Sequence, residues 1–235
     1  MNVNPLNPIA QNIRRIKERI ARTAEVCGRR PEEITLLAIS KTFPRDSIVD
    51  AIQAGIRQFG ENRVQEAETK IPFFENTAKL EWHLVGHLQS NKVRRAVELF
   101  DVIQSVDSLK LAERINQVSR EVGKVMPVLL QVDLAGETTK FGAIPDEIHT
   151  ILDASSGLEN IRIDGLMLIP PYLEDPESVR PYFRKLRELK SELESEHPGC
   201  LGRQHLSMGM SHDFETAIHE GATIVRIGTA IFGTR

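Results

Sequence analysis

The segment ITLLAISKTFPRD (residues 34–46) runs from an apolar stretch through a lysine into a proline-bearing turn and the start of a helical pattern. A short apolar run bounded by turn residues reads as a buried strand. The turn SKTFPRD (40–46) contains no glycine, so it lacks the fingerprint that follows the first strand of an open dinucleotide-binding sheet. Seven further runs repeat the pattern: IRQFG (56–60), WHLVG (82–86), VIQSV (102–106), VMPVLLQVD (125–133), IDGLMLI (163–169), QHLSM (204–208) and TIVRIG (223–228). Between them lie helical stretches at 45–54, 63–70, 90–98, 108–122, 145–154, 177–195 and 213–220, with Asp46, Ser108 and Asp213 placed to cap. Strands alternating with helices imply right-handed crossovers and a parallel sheet. Eight such units predict an α/β fold, a single (β/α)8 TIM barrel over residues 1–235.

Before the first strand, Ile9, Ile13, Ile16 and Ile20 recur at steps of four, three and four, which predicts an extra N-terminal amphipathic helix. Arg14, Arg15, Lys17 and Arg19 lie between them, but Glu18 and Glu25 interrupt the basic side, so it reads as a solvated face. The formal net charge of -3 gives no reason to expect nucleic acid. A hydrophobic fraction of 40% and a charged fraction of 27% are those of a soluble globular protein. There is no run of 18 apolar residues and no signal-peptide core at the start, so a cytoplasmic protein without membrane contact is expected. Cys27 and Cys200 form no C-x-x-C pair, which argues against a disulfide framework or a thiolate zinc site.

A TIM barrel carries its active site at the C-terminal ends of its strands. Those positions hold Lys41; Glu61, Asn62 and Arg63; His87; Ser105 and Asp107; Asp133; Pro170; Ser207 and Gly209; and Gly228 with Thr229. A lone lysine after a strand usually reaches water. On a rigid strand inside a barrel mouth, partial desolvation favours the neutral amine that attacks an aldehyde to form a Schiff base. LSMGMSHD (206–213) and RIGTAIFG (226–233) each combine a small residue, glycine and a hydroxyl before a helix, at the two loops where barrels commonly bind phosphate. Alternation within TIVRIG puts Ile224, Arg226 and Gly228 on one face. Arg226 is then either a buried arginine paired with a carboxylate such as Glu61 or Asp133, or a guanidinium inside the mouth.

An aldehyde-reactive lysine, a phosphate cradle and a cation match what pyridoxal 5'-phosphate needs. LLAISKTFP (36–44), FGENRVQEA (59–67), WHLVGHLQSNK (82–92), GLM (165–167) and LSMGMSHDFETAIHEGATIVRIGTAIFG (206–233) resemble the signature segments of the pyridoxal phosphate homeostasis proteins, the YggS or proline-synthase-co-transcribed family. The resemblance covers almost the whole chain and implies a barrel like the N-terminal domain of alanine racemase. It also implies that Lys41 binds the cofactor, that Ser207, Gly209, Gly228 and Thr229 hold its phosphate, that Arg226 faces the pyridine nitrogen, and that Asn62 lies beside the ring. Met208 and Met210 would wall the site.

A racemase needs a second base, a tyrosine associated with a further domain in alanine racemase. Tyr172 and Tyr182 lie in or after the PPYLEDPESVRPYF loop (170–183), and neither can be placed at the amine from sequence. Arginine at the pyridine nitrogen weakens carbanion stabilisation. The expectation is therefore a non-catalytic, monomeric pyridoxal phosphate carrier in vitamin B6 and amino/keto acid homeostasis, with cofactor-dependent apoenzymes as partners. Lys140, in the loop after the fifth strand, is a candidate for assisting exchange. A small pyridoxal-phosphate racemase and a cofactor-free Schiff-base aldolase are the enzyme alternatives. A metal enzyme is weaker, because HLVGH (83–87) sits in a strand pattern and lacks the zinc-protease glutamate.

Overall fold

Each of the eight apolar runs forms a strand, and the strands close on one another in chain order. The computed structural model describes residues 7–77, 79–136 and 141–234. The strands are β1 (Thr35–Ile39), β2 (Gln58–Glu61), β3 (Glu81–Leu84), β4 (Val102–Val106), β5 (Met126–Val132), β6 (Ile161–Leu168), β7 (His205–Ser207) and β8 (Ile224–Ile227). They make a closed parallel barrel, with β8 returning to β1 in the register Thr35↔Ile224 and Leu37↔Arg226. This is the expected (β/α)8 TIM barrel.

Strand alternation divides the hydrophobic residues into two layers. Ala38, Phe59, Ile103, Val128, Leu166 and Val225 face outward and join the helices in the main core. Leu37, Ile39, Val85, Leu129, Met167 and Ile224 form a separate cluster inside the barrel. Between these inward positions the same alternation places His83, Gln104, Gln131, Ser207 and Arg226, all buried. The interior therefore holds a polar group of residues as well as the branched side chains that usually fill such barrels.

The surrounding helices are α1 (Pro8–Val26), α2 (Arg45–Gln53), α3 (Val64–Lys70), α4 (Val93–Leu99), α5 (Leu109–Glu121), α6 (Pro145–Asp153), α7 (Arg180–Glu196), α8 (Phe214–His219) and α9 (Thr229–Phe232). The N-terminal helix α1 starts where Asn7 accepts from Ile9 N at 2.8 Å and Pro8 takes the first position. It buries Ile13, Ile16 and Ile20 against α2, α8 and α9, while Arg14 and Arg15 stay exposed. Arg19 is held by Glu215 of α8 and stacks over Phe214. Ser108 caps α5 as expected, accepting from Leu111 N at 3.3 Å. Asp46 instead lies inside the first turn of α2, behind an N-cap at Pro44, where its charge meets the helix dipole. Asp213 occupies the N-cap position of α8 but turns its carboxylate back to accept from Met210 N at 2.6 Å. No helix among the described residues is long and apolar enough to cross a membrane.

Gly165, in β6, is a point where the packing admits no side chain. Its φ is +148°, and a Cβ there would lie 2.1 Å from the His205 carbonyl oxygen on β7. Gly165→Ala is expected to destabilise the barrel by about 3 kcal/mol through combined backbone strain and overpacking. Urea unfolding measures this, and a midpoint equal to that of the parent would show that β6 and β7 are not packed as described.

Candidate functional site

Lys41 follows β1 with the parity of Leu37 and Ile39, the residues that face the barrel interior. Both of its neighbours in the chain are gripped from β2 and α3. Ser40 donates its hydroxyl to Glu61 Oε1 at 2.7 Å, its N–H bonds the Gly60 carbonyl at 3.0 Å, and its own carbonyl accepts from Lys70 Nζ at 2.8 Å. On the other side Thr42 donates its backbone N–H to Glu66. Thr42 has φ of 64°, a left-handed conformation uncommon for a β-branched residue, so the backbone just after Lys41 carries strain that the bond to Glu66 holds in place. Lys70 is itself buried and joins the group, contacting Glu61 at 2.9 Å and Glu66 at 2.6 Å. Burial pushes the Glu61 carboxyl above its ordinary value, and the Lys70 ammonium opposes that rise. Stacking of Phe43 on Phe232, with ring centroids 5.0 Å apart, ties the same turn to α9.

Arg226 is only 4% exposed and extends inside the barrel. It donates to the Ser207 carbonyl at 2.6 Å, to Ser207 Oγ at 2.8 Å and to the Leu168 carbonyl at 2.7 Å. The alternative of an ion pair with Glu61 or Asp133 is not what forms. Glu61 pairs with Lys70, while Asp133 accepts from Ala135 N and Gly136 N. Burial lowers the Arg226 guanidinium to about 10, with the charge of Asp213 acting the other way, so the group remains a cation at neutral pH.

The loops after β7 and β8 meet beside these residues. Ala230 N, in the first turn of α9, donates to Ser211 Oγ at 3.3 Å, and Thr229 N at the first helical position has no intrahelical acceptor. Gly228 lies against β1 at ordinary packing distance, since a Cβ there would lie 3.4 Å from the Ile39 carbonyl oxygen. Gly209, at φ +90°, lets the first loop close on α8, where a Cβ would lie 2.5 Å from that of Ala217. Ser207, expected at the phosphate, has its hydroxyl engaged inside the barrel, donating to Gln104 Oε1 at 2.6 Å while accepting from Arg226. The hydroxyl that reaches an amide of α9 is that of Ser211, at Ala230 N. Met208 is fully buried in the main core, so it packs behind the strands and does not wall the mouth, whereas Met210 is half-buried. Asn62 lines an open cleft of about 820 Å³ over β2, β3, β5 and β6, together with Val85, His87, Gln131, Phe141 and Ile169. Gly86 makes room for it, because a Cβ there would lie 2.2 Å from the Asn62 carbonyl oxygen.

These residues can supply an amine, a hydroxyl-and-amide anion cradle and a buried cation along the β1–β8–β7 arc. Over residues 6–235 the chain matches the family model of the alanine racemase N-terminal domain. It is 46% identical over 225 residues to the pyridoxal phosphate homeostasis protein of Aquifex aeolicus, spanning 96% of this chain and 97% of that one. The chain belongs to the pyridoxal phosphate homeostasis protein family. Its fold superposes on PipY of Synechococcus elongatus, solved with PLP bound, with a TM-score of 0.81 and 42% identity over 91% of this chain and all of that one. Alanine racemase from Bartonella henselae shares the fold alone, at a TM-score of 0.68 and 16% identity over 97% of this chain and 58% of that one.

Within this member of the pyridoxal phosphate homeostasis family, sequence reasoning missed Glu66, Lys70, Gln104 and Ser211. Lys70 and Glu66 sit four residues apart on α3, a spacing that reads as an ordinary surface pair until β2 brings Glu61 beneath them. Ser211 was legible as the second hydroxyl of LSMGMSHD. His87 pairs with Asp107 at 3.4 Å and stacks on Phe141, whereas His83 lies inside the barrel against Glu81 and Gln104, so the two do not form a metal pair. Tyr182 lies on α7 and packs on the core, and Tyr172 is exposed against His212. Lys140 lies outside the described residues.

The Lys70 clamp gives a direct prediction. Lys70→Met leaves Glu61 buried without its cation and is expected to cost about 3–5 kcal/mol at neutral pH. With its folded-state value raised by burial, Glu61 binds protons more readily in the folded chain than in the unfolded one. Stability therefore falls as pH rises through the interval between the two values, and the variant regains stability on acidification through it. Glu61→Gln combined with Lys70→Met should recover most of the loss. Denaturant titrations at several pH values test this, and a pH-independent deficit in Lys70→Met would contradict it.

Proposed function

We propose that this chain binds pyridoxal 5'-phosphate as a carrier and does not turn over a substrate. The observation that carries this reading is the backbone clamped on both sides of Lys41 at the end of β1, which pairs with β8, the strand that supplies the buried cation Arg226 and whose following helix bonds Ser211 of the β7 loop. The name of the Aquifex relative and the PLP-bound PipY structure support it. The residues fit the group, since the cradle offers N–H and O–H donors to a dianion and the barrel interior offers a fixed cation.

In this reading Thr229 N, Gly228, Gly209 and Ser211 hold the phosphate, with the Thr229 hydroxyl exposed at the rim. Ser207 acts one step behind, fixing Arg226. Arg226 would face the pyridine nitrogen, and Asn62 would lie beside the ring. Lys41 would hold the cofactor reversibly through its side-chain amine, the nucleophile that the site offers to an aldehyde. When bound, the cofactor supplies an aldehyde and an electron-withdrawing ring. A guanidinium directed at the ring nitrogen disfavours its protonation and so weakens the ring as an electron sink. Such a site retains the cofactor better than it drives α-carbon chemistry. A cytoplasmic monomer that buffers the cofactor or passes it to apoenzymes is the role we infer.

The purified chain supplied with pyridoxal phosphate should be yellow, and Lys41→Ala should lose the visible band. It should also fail to exchange the α-proton of D- or L-amino acids with solvent. A wild-type protein that never acquires the chromophore would overturn cofactor binding. Rapid α-proton exchange, abolished in Tyr172→Phe, would establish the racemase instead.

A further inference from the structure

The interior polar residues form one continuous chain through the barrel. From the mouth inward it runs from Arg226 Nη1 to Ser207 Oγ at 2.8 Å and from Ser207 Oγ to Gln104 Oε1 at 2.6 Å. It continues from Gln104 Nε2 to His83 Nδ1 at 2.8 Å and from His83 Nε2 to Glu81 Oε1 at 2.9 Å. Ser207 and Gln104 are fully buried, and His83 is 3% exposed. Glu81 begins β3, so its half-buried carboxylate lies at the opposite end of the barrel from Lys41. There it lines a separate cavity of about 520 Å³ with His83, Asp164, Arg203 and His205.

The direction of every bond in this chain follows from one end. A guanidinium only donates, so Ser207 Oγ must accept from Arg226 and pass its single proton to the next acceptor. That acceptor is the Gln104 carbonyl oxygen, which turns the Gln104 amide N–H groups toward His83. His83 Nδ1 must then be the unprotonated nitrogen, and the imidazole carries its proton on Nε2, directed at Glu81. Among the described residues no carboxylate lies within ion-pair distance of Arg226. The charge of Asp213 acts on the guanidinium from a greater distance, while the hydrogen bonds of the chain connect the cation through the barrel to the carboxylate of Glu81.

We propose that Gln104 and His83 are positioning residues for Arg226: the chain fixes the guanidinium in the mouth, and Arg226 in turn dictates the tautomer of a histidine at the far end of the barrel. For the cofactor this rests on the carrier reading above, whereas the chain itself is a property of the unliganded protein. Ligand contact at Arg226 is then felt at His83, and a change at Gln104 alters how firmly the guanidinium is held. Loss of a hydrogen bond to a charge-bearing network corresponds to roughly tenfold in affinity.

The test is 15N NMR of the histidine ring nitrogens in the unliganded protein, with His83 assigned through a His83→Gln variant. The expected result is a hydrogen-free, acceptor-type Nδ1 and a protonated Nε2 on His83. Gln104→Glu reverses the demand, because its carboxylate accepts from both sides, and should place a proton on His83 Nδ1. A protonated Nδ1 in the wild type overturns the chain whatever the variant does, and an unaltered His83 in a folded Gln104→Glu protein overturns it as well. Adding pyridoxal phosphate separates the two claims. With the chain established, a shift of the His83 signals and binding about tenfold weaker in Gln104→Leu support positioning of Arg226 for the cofactor. A wild-type protein that turns yellow without any His83 shift and is matched in affinity by Gln104→Leu overturns the positioning role. Absence of any pyridoxal phosphate binding overturns the carrier reading and leaves the tautomer result standing.

Discussion

Closure of the barrel between β8 and β1 is the constraint on which the site depends. The register Leu37↔Arg226 sets the inward face of β8 beside the inward face of β1, and two residues further along it brings Gly228 against Ile39. Lys41, two positions beyond Ile39 in the turn after β1, is thereby carried on the strand that pairs with that of Arg226, 185 positions further along the sequence. A slip of one residue would exchange the two faces and send Arg226 into the apolar layer beneath the helices. Strands from opposite ends of the chain thus become neighbours through backbone pairing, before any ligand is considered.

The same geometry brings charges into places where they are costly. Lys70 and Glu61 are buried, and Arg226 is enclosed by carbonyls and a hydroxyl. Well-packed apolar residues of similar volume would often be as stable in such positions. Function gives the arrangement its sense. Lys70, Glu61 and Glu66 restrain the backbone on both sides of Lys41, while Ser207 and Leu168 hold Arg226, so the root of the lysine and the guanidinium are set on rigid supports. Fixing reactive groups in advance reduces the ordering cost when a cofactor binds.

The architecture was largely legible in the sequence because a parallel barrel writes each strand as a short apolar run between polar punctuation. All eight runs became strands, and α1 follows the isoleucine spacing. The strand-end positions of Lys41 and Gly228 and the inward burial of Arg226 were visible because strand ends and strand parity are local properties. The roles of Ser207 and Met208 were not, because each depends on what lies across the barrel: Gln104 on β4 takes the hydroxyl, and the main core encloses the methionine. Lys70 was hidden for the same reason, since nothing in the α3 sequence shows that β2 places a buried carboxylate under it. Asp46 and Asp213 show the limit of capping rules, because Pro44 takes the N-cap position of α2 and the Asp213 carboxylate accepts from Met210 N instead of from its own helix.

The central claim is that Lys41 is the covalent anchor of an aldehyde cofactor. Its most direct measurement is borohydride reduction of the protein loaded with pyridoxal phosphate, followed by proteolysis and mass spectrometry of the peptides. The account predicts a single phosphopyridoxyl group on Lys41, within the peptide that contains LLAISKTF. A label confined to other lysines, or no label on a protein that has been shown to bind the cofactor, would contradict it.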